Sequence, residues 1–423
     1  MVDNRLHTPD GFSDRLPADL SRKRAVEAAI ETVFRSHGFQ MVSTPTLEYL
    51  EVFEGKGSLR PKETYRFIGR DGEILCLRAD MTPAVARLAG TCFPADAFPL
   101  KLCYMERQFR NIDSYQGKAR EFTQAGVELI GDNTSEADAE VAALAIKCLR
   151  AAGLTGFRVD IGHVGFLHGI MEETGCGPEI RHDLMSDILR RDYVSLESRL
   201  RQAGIQNPIL ADLTAWTGGA DMLRRALDRT RSPQARRAVE ALRDIHQRLS
   251  DSGLENCVSY DLSMLGHLDY YTGVIFQGYA PGTGFSVMDG GRYDNLQSQF
   301  GQSRPAVGFG IKTDDLLDAL ANQRALPSLP AGPADALLVY DDVSRKAAMA
   351  AADRLRSAGL VIENALTGGD EREAWRRAEQ RQVKRLLIYS HNEMYLMDTR
   401  GRHLVTIAQI VDQVMVPGTR PSS

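Results

Sequence analysis

Apolar positions along the chain repeat with two periods, and the switches between them predict the elements. Near the start Ala25, Val26, Ala29, Ile30, Val33 and Phe34 recur at helical spacing; Pro17 and Asp19 suit the first turn and Gly38 the stop. Residues 39–45 then alternate as a strand that ends at Pro45, which has no N–H for a central ladder. Two short runs between 65 and 78 flank Gly69-Arg-Asp-Gly72, a hairpin pattern. Met81 to Ala89 is helical in period. Residues 100–110 and 121–130 read as a second, longer hairpin around a polar loop. An amphipathic helix follows at 135–152, then a mostly helical block rich in Arg and Leu from about 164 to 250. Strand character returns at 258–276 and 284–289, and 309–320 reads as a helix.

Hairpins separated by few helices predict an α+β core, not βαβ winding. Residues 321–333 carry three prolines and few apolar positions, so they read as a linker. Beyond it, strand-like runs at 337–340, 361–363 and 385–389 alternate with helical runs at 347–358 and 372–382, a small α/β domain over 334–416. Residues 417–423 read as a disordered tail. The core then spans 1–320, with the block at 164–250 as a helical insertion.

Composition narrows the class. The chain has 423 residues, 43% apolar and 25% charged, which suits folded domains and excludes fibrous or disordered architectures. A net charge of −5 gives no chain-wide basic field for nucleic acid. The tail from 334 onward holds 13 Lys/Arg against 12 Asp/Glu, near neutral for an RNA-gripping domain. No apolar run approaches the roughly 18 residues of a membrane span, and the first 25 residues lack a signal-peptide apolar segment. The six cysteines show no C-x-x-C spacing, so neither a zinc site nor a disulfide framework is expected. These features predict a cytoplasmic protein.

Familiar nucleotide motifs are missing. There is no phosphate-binding loop sequence, and Gly308-Phe-Gly310 lacks the third glycine of a dinucleotide fingerprint. His163 and His168 are five apart, which misses the spacing of a helical metal pair. Neither a metal nor a cofactor is called for.

Several motifs do occur in a fixed order: Thr44-Pro-x-Leu-Glu48, Leu77-Arg-Ala-Asp-Met-Thr82, Phe109-Arg110, then Gln124 and Glu128 on one strand. Leu268-Asp-Tyr-Tyr-Thr-Gly273, Gly290-Gly-Arg-Tyr-Asp294 and Pro305-Ala-Val-Gly-Phe-Gly310 follow. Together, over residues 8–320, they resemble the catalytic core of class II histidyl-tRNA synthetases, and the tail is similar to a shortened anticodon-binding domain. The resemblance implies a class II antiparallel-sheet core that dimerises through the first motif. It also implies a histidine pocket formed by Asp80, Thr82, Gln124, Glu128, Tyr270, Tyr271 and Tyr293. Those types suit the ligand: carboxylates receive an ammonium or imidazole N–H, and hydroxyls and the amide fix orientation.

The triphosphate half departs from the synthetase pattern. Adenylation builds charge on the α-phosphate of ATP, so fixed cations are needed there. The motif 2 arginine is retained as Arg110, but the adenine-contacting glutamate corresponds to Ile112 and the next arginine to Asp113. The histidine-specific catalytic arginine corresponds to Gly266, followed by His267, and the motif 3 arginine to Asp315. No catalytic residue is therefore expected. A kept amino-acid pocket beside a lost triphosphate site is similar to one paralogous family, the regulatory subunits of ATP phosphoribosyltransferase. That resemblance implies a partner, the short-form catalytic subunit, in a hetero-octamer for the first step of histidine biosynthesis, with L-histidine as feedback effector. The alternatives are a divergent active histidyl-tRNA synthetase, against which Ile112, Gly266 and Asp315 argue, and an RNA-binding module. The acidic composition argues against tRNA as a partner.

Overall fold

The computed structural model describes residues 4–54, 61–112, 119–266, 271–329, 333–391 and 393–414. The chain divides into two compact units, 1–327 and 328–423.

In the first unit, helix α1 (Pro17–Ser36) leads into β1 (Gln40–Met41). Strands β2 (Leu47–Tyr49), β3 (Arg66–Ile68) and β4 (Ile74–Leu77) form a small antiparallel sheet in the order β2-β4-β3. After α2 (Met81–Cys92) come the long strands β5 (Leu100–Phe109) and β6 (Glu121–Ile130), paired antiparallel over their full length. Helix α3 (Ser135–Ala151) and β7 (Arg158–His163) follow. The helical block consists of α4 (Val164–Glu173), α5 (Pro178–Leu189), α6 (Tyr193–Gln202), α7 (Pro208–Ala211), α8 (Ala220–Arg229) and α9 (Pro233–Asp251), with the short β8 (Thr217–Gly218) before α8. Strands β9 (Val258–Asp261), β10 (Val274–Tyr279), β11 (Met288–Arg292) and β12 (Ala306–Lys312) and helix α10 (Thr313–Asn322) complete the unit. The large sheet has nine strands in the order β1-β5-β6-β12-β11-β10-β7-β9-β8.

Period-two alternation on the central strands explains the layering. On β6, Ala125, Val127 and Leu129 pack into the main core with Val26, Ile30 and Phe34 of α1 and Val141, Leu144 and Ala145 of α3. Burying side chains such as Ile30 and Phe34 fully stabilises the packing by about 1.5–3 kcal/mol each. Gln124, Gly126 and Glu128 point to the other face, where the site lies. Helix α3 starts where the Thr134 side chain accepts the Ala137 N–H, and Arg150 complements its last turn. His163 caps α4: its Nδ1 accepts the Gly165 N–H at 3.1 Å, a structural task for a residue that the sequence left out of any metal pair.

Several segments differ from the sequence expectation: the strand expected over 39–45 is only Gln40–Met41, and the one expected over 284–289 starts at Met288 and runs to Arg292. Residues 306–312 form strand β12, and only from Thr313 does the chain turn helical. Val307, Phe309 and Ile311 alternate with Gly308 and Gly310, and a glycine carries no side chain to mark the polar face. The run expected at 258–276 is two strands, β9 and β10, which both pair with β7.

The second unit has a five-stranded sheet, β14-β13-β15-β16-β17, made of β13 (Ala336–Tyr340), β14 (Ile362–Asn364), β15 (Leu386–Ser390), β16 (Glu393–Asp398) and β17 (Gly401–Leu404). Helices α11 (Arg345–Ser357), α12 (Glu371–Gln380) and α13 (Ile407–Val414) complete it. Its first three strands are parallel, as the βα alternation requires, and the hairpin β16–β17 is appended antiparallel. All six cysteines are unpaired thiols.

Candidate functional site

A cavity of about 1210 Å³ opens on the polar face of the large sheet. Asp80, Thr82, Gln124, Tyr271 and Tyr293 line it, and so do Arg110, Ile112, Gly266 and Asp315. Residues as far apart in sequence as Asp80 and Asp315 thus meet in one place. Glu128 lies directly behind the wall, 1% exposed. Asp113, His267 and Tyr270 fall outside the described residues.

Local geometry explains each placement. Asp80 caps α2 by accepting the Thr82 N–H at 3.2 Å, which fixes both side chains at the helix start. Arg78, almost wholly buried, ties this strand–helix junction down. It donates to the carbonyls of Thr44, Pro45 and Arg107 and pairs with Glu106 at 2.9 Å. Gln124 and Glu128 stand on the polar face of β6, and their room comes from β12. A Cβ on Gly308 would overlap the Glu128 carboxylate, and one on Gly310 would overlap the Gln124 amide. Tyr293 leaves β11 on a turn held by Arg292. That guanidinium pairs with buried Asp138 at 2.7 Å and donates to the carbonyls of Asp132 and Thr134.

These side chains form one network. Thr82 Oγ1 donates to Glu128 Oε1 at 2.8 Å, and the Tyr293 hydroxyl donates to Glu128 Oε2. Gln124 Nε2 donates to Tyr104 Oη at 2.9 Å. Burial pushes the Glu128 carboxyl up to about 8; the Tyr293, Thr82 and Tyr104 hydroxyls hold it down in part, and Asp80 raises it. Tyr104 is the member that motif reading missed. Its signal is the hairpin register: Tyr104 lies opposite Gly126, between Gln124 and Glu128.

The far side of the cavity is acidic. Asp315, at the start of α10, lies 3.9 Å from Lys312 Nζ. Burial raises its carboxyl to about 6, with Lys312 opposing and Asp314 and Asp318 reinforcing, so it is mostly ionised at neutral pH. Of the cations nearby, Arg15 and Lys23 are both bound to Asp314, at 2.6 and 2.7 Å. Arg110 donates its Nε to the Ala79 carbonyl at 3.1 Å and packs over the Phe122 ring.

Residues 11–316 match the family model described as histidyl-tRNA synthetase. Curated relatives named ATP phosphoribosyltransferase regulatory subunit include one from Acetivibrio thermocellus, 38% identical over 88% of this chain and 89% of the relative. Another, from Symbiobacterium thermophilum, is 39% identical over 85% of this chain and 90% of the relative. The chain belongs to the ATP phosphoribosyltransferase regulatory subunit family. Its coordinates are similar to a crystal structure from Bacillus halodurans C titled as an ATP phosphoribosyltransferase regulatory subunit/histidyl-tRNA synthetase, at a TM-score of 0.80 and 29% identity over 91% of this chain and 98% of that one. A histidyl-tRNA synthetase from Nostoc sp. PCC 7120, 22% identical, superposes with a TM-score of 0.81 over 96% of this chain and 98% of that one, which shows a shared fold.

The class II synthetase-like fold expected from the motifs is the fold observed. Within this family the cavity has two unlike halves. One is a hydroxyl- and carboxyl-lined pocket organised around Glu128. The other presents Ile112, Gly266 and Asp315 where the synthetase resemblance calls for polar and cationic groups.

Proposed function

We propose that this chain is a non-catalytic regulatory subunit of ATP phosphoribosyltransferase. It assembles with a short-form catalytic subunit, activates the first step of L-histidine biosynthesis, and relays feedback inhibition by histidine bound in the cavity. The observation that carries the proposal is the half-buried Asp315 carboxylate facing the side where a triphosphate would lie. A unit charge about 4 Å away is worth ~4 kcal/mol at an effective dielectric near 20. Exchanging an arginine for an aspartate therefore swings the local energy by about 8 kcal/mol, against both ATP binding and adenylation. The pocket around Glu128, by contrast, keeps donors and acceptors suited to an amino acid with a polar ring.

The assembly proposed is a cytoplasmic hetero-octamer of four regulatory and four catalytic chains. Self-dimers through the core are supported by an apolar face on the small sheet, where Leu47, Tyr49 and Phe67 are 47%, 58% and 46% exposed. No helix among the described residues is long and apolar enough to cross a membrane. The second unit is assigned as the shortened anticodon-binding domain, without a tRNA-binding role. The test is phosphoribosyl-ATP formation by a purified short-form catalytic subunit. Adding this chain should raise turnover at least severalfold; unchanged turnover would sink the proposal.

A further inference from the structure

The cavity wall that carries Gln124 also carries two cations that the fold leaves without a hydrogen-bonded anion. Arg110 is fixed on one side only: its Nε donates to the Ala79 carbonyl at 3.1 Å, and the guanidinium packs 5.7 Å from the Phe122 ring centroid. Among the described residues no hydrogen bond or ion pair engages its two Nη atoms. Lys312 approaches the same ring from β12, with Nζ 5.9 Å from the centroid. Its ion-pair partner is Asp315 at 3.9 Å, beyond hydrogen-bond reach, so no described group accepts from its three ammonium N–H donors. By contrast, Arg15 holds Asp314 at 2.6 Å and Arg158 holds Asp160 at 2.7 Å.

Register ties this pair to the amino-acid pocket. Lys312 lies opposite Gln124 across the β6–β12 ladder, and Phe122 is two residues along on the same face of β6. Ala79, which anchors Arg110, immediately precedes Asp80. An α-ammonium and its carboxylate share one carbon. An amino acid that sets its ammonium against Asp80 and Gln124 therefore presents its carboxylate to the neighbouring guanidinium fork and to the ammonium of Lys312, at the electropositive edge of Phe122. We propose that Arg110 and Lys312 form a carboxylate subsite, so that the cavity binds the free amino acid and rejects analogues that lack the carboxylate. The inference rests on the assignment of L-histidine to this cavity. Both residues act in it as specificity determinants.

The rest of the cavity pulls the other way. Asp289, Asp315 and Asp318 line it beyond Lys312, and a carboxylate-rich wall favours a cation over a zwitterion of similar shape. Without a carboxylate subsite, the amino alcohol of histidine, which keeps the ammonium and the ring, binds more tightly than histidine itself. With the subsite the order reverses. The alcohol forfeits charge-assisted hydrogen bonds and leaves two cations desolvated without a partner, a penalty of roughly tenfold or more. Asp315 acts on the two ends of the zwitterion in opposite directions, so its charge bears far more on ATP than on histidine.

Calorimetric titration of the full chain at pH 7.2 with L-histidine and with L-histidinol measures the order directly. L-Histidine should bind at least tenfold more tightly. Lys312→Met should erase most of that preference by weakening histidine alone, and Lys312→Arg, which keeps the cation, should retain it. L-Histidinol binding to the unaltered chain as tightly as histidine overturns the subsite alone and leaves histidine in the cavity. A preference unchanged in Lys312→Met, or both ligands weakened alike as a structural role would have it, does the same. Saturable heat with neither ligand overturns the subsite and the histidine assignment together. Should Lys312→Met not fold, the order of the two ligands on the unaltered chain and on Lys312→Arg still decides.

Discussion

Replacing Asp315 by asparagine isolates the electrostatic barrier to ATP. The side chain keeps its size, Lys312 at 3.9 Å loses its anionic partner, and the cavity loses a charge that burial holds near about 6. For a phosphate charge 4–8 Å from the carboxylate, an effective dielectric near 20 gives about 2–4 kcal/mol of repulsion. Asp315→Asn should therefore tighten ATP binding by roughly 30- to 1000-fold, measured by equilibrium dialysis, with histidine affinity unchanged. The same carboxyl supplies a pH signature. As pH falls from 7.5 through 6 the carboxyl takes up a proton, the repulsion fades, and ATP binding to the unaltered chain should improve relative to Asp315→Asn. ATP affinities for the two proteins within threefold across that range would refute the electrostatic explanation. So would tight ATP binding by the unaltered chain at pH 7.5.

Three further outcomes follow from the geometry. Gly308→Ala drives a methyl group into the Glu128 carboxylate and should cost about 1–3 kcal/mol by urea denaturation, with histidine binding lost before folding is. Arg292→Met strands buried Asp138 and two carbonyls; a loss of about 3–5 kcal/mol and weaker histidine binding through a displaced Tyr293 are expected, whereas a loss below 1 kcal/mol would deny the turn its anchor. Burial depresses the His163 imidazole to about 4, so between pH 6.5 and 4 the unfolded chain holds a proton that the folded chain does not. Stability is lost as pH falls through that window, and His163→Asn, which can still accept the Gly165 N–H, should flatten that loss in thermal melts.

Much of this was legible in the chain because the relevant signals are local. The β5–β6 hairpin is visible in its alternation, and its register places Gln124 and Glu128 on one face. Asp80 and Thr82 are readable as a helix start. Strand β12 was harder: with Gly308 and Gly310 supplying alternate positions, the pattern leaves only Val307, Phe309 and Ile311, and such a run suits a buried helix as well as a strand. Hairpin β16–β17 and α13 went unread for a similar reason, since β17 is exposed along its length and gives no buried face to detect. Tyr104 escaped notice because its role depends on a cross-strand partner, which a single-strand pattern does not specify. The antagonism between the two halves of the cavity also needed coordinates, since it turns on Arg15 and Lys23 being bound to Asp314 while Asp315 faces the open space.

The most direct test of a histidine-sensing regulatory subunit is histidine inhibition of phosphoribosyl-ATP formation by the assembled complex, compared between the unaltered chain and Gln124→Leu. Gln124 lines the cavity and fixes the Tyr104 hydroxyl, so its loss should shift the inhibition curve at least tenfold to higher histidine while assembly, checked by mass, stays intact. Superimposable inhibition curves for the two complexes would contradict the account and place the sensor outside this cavity.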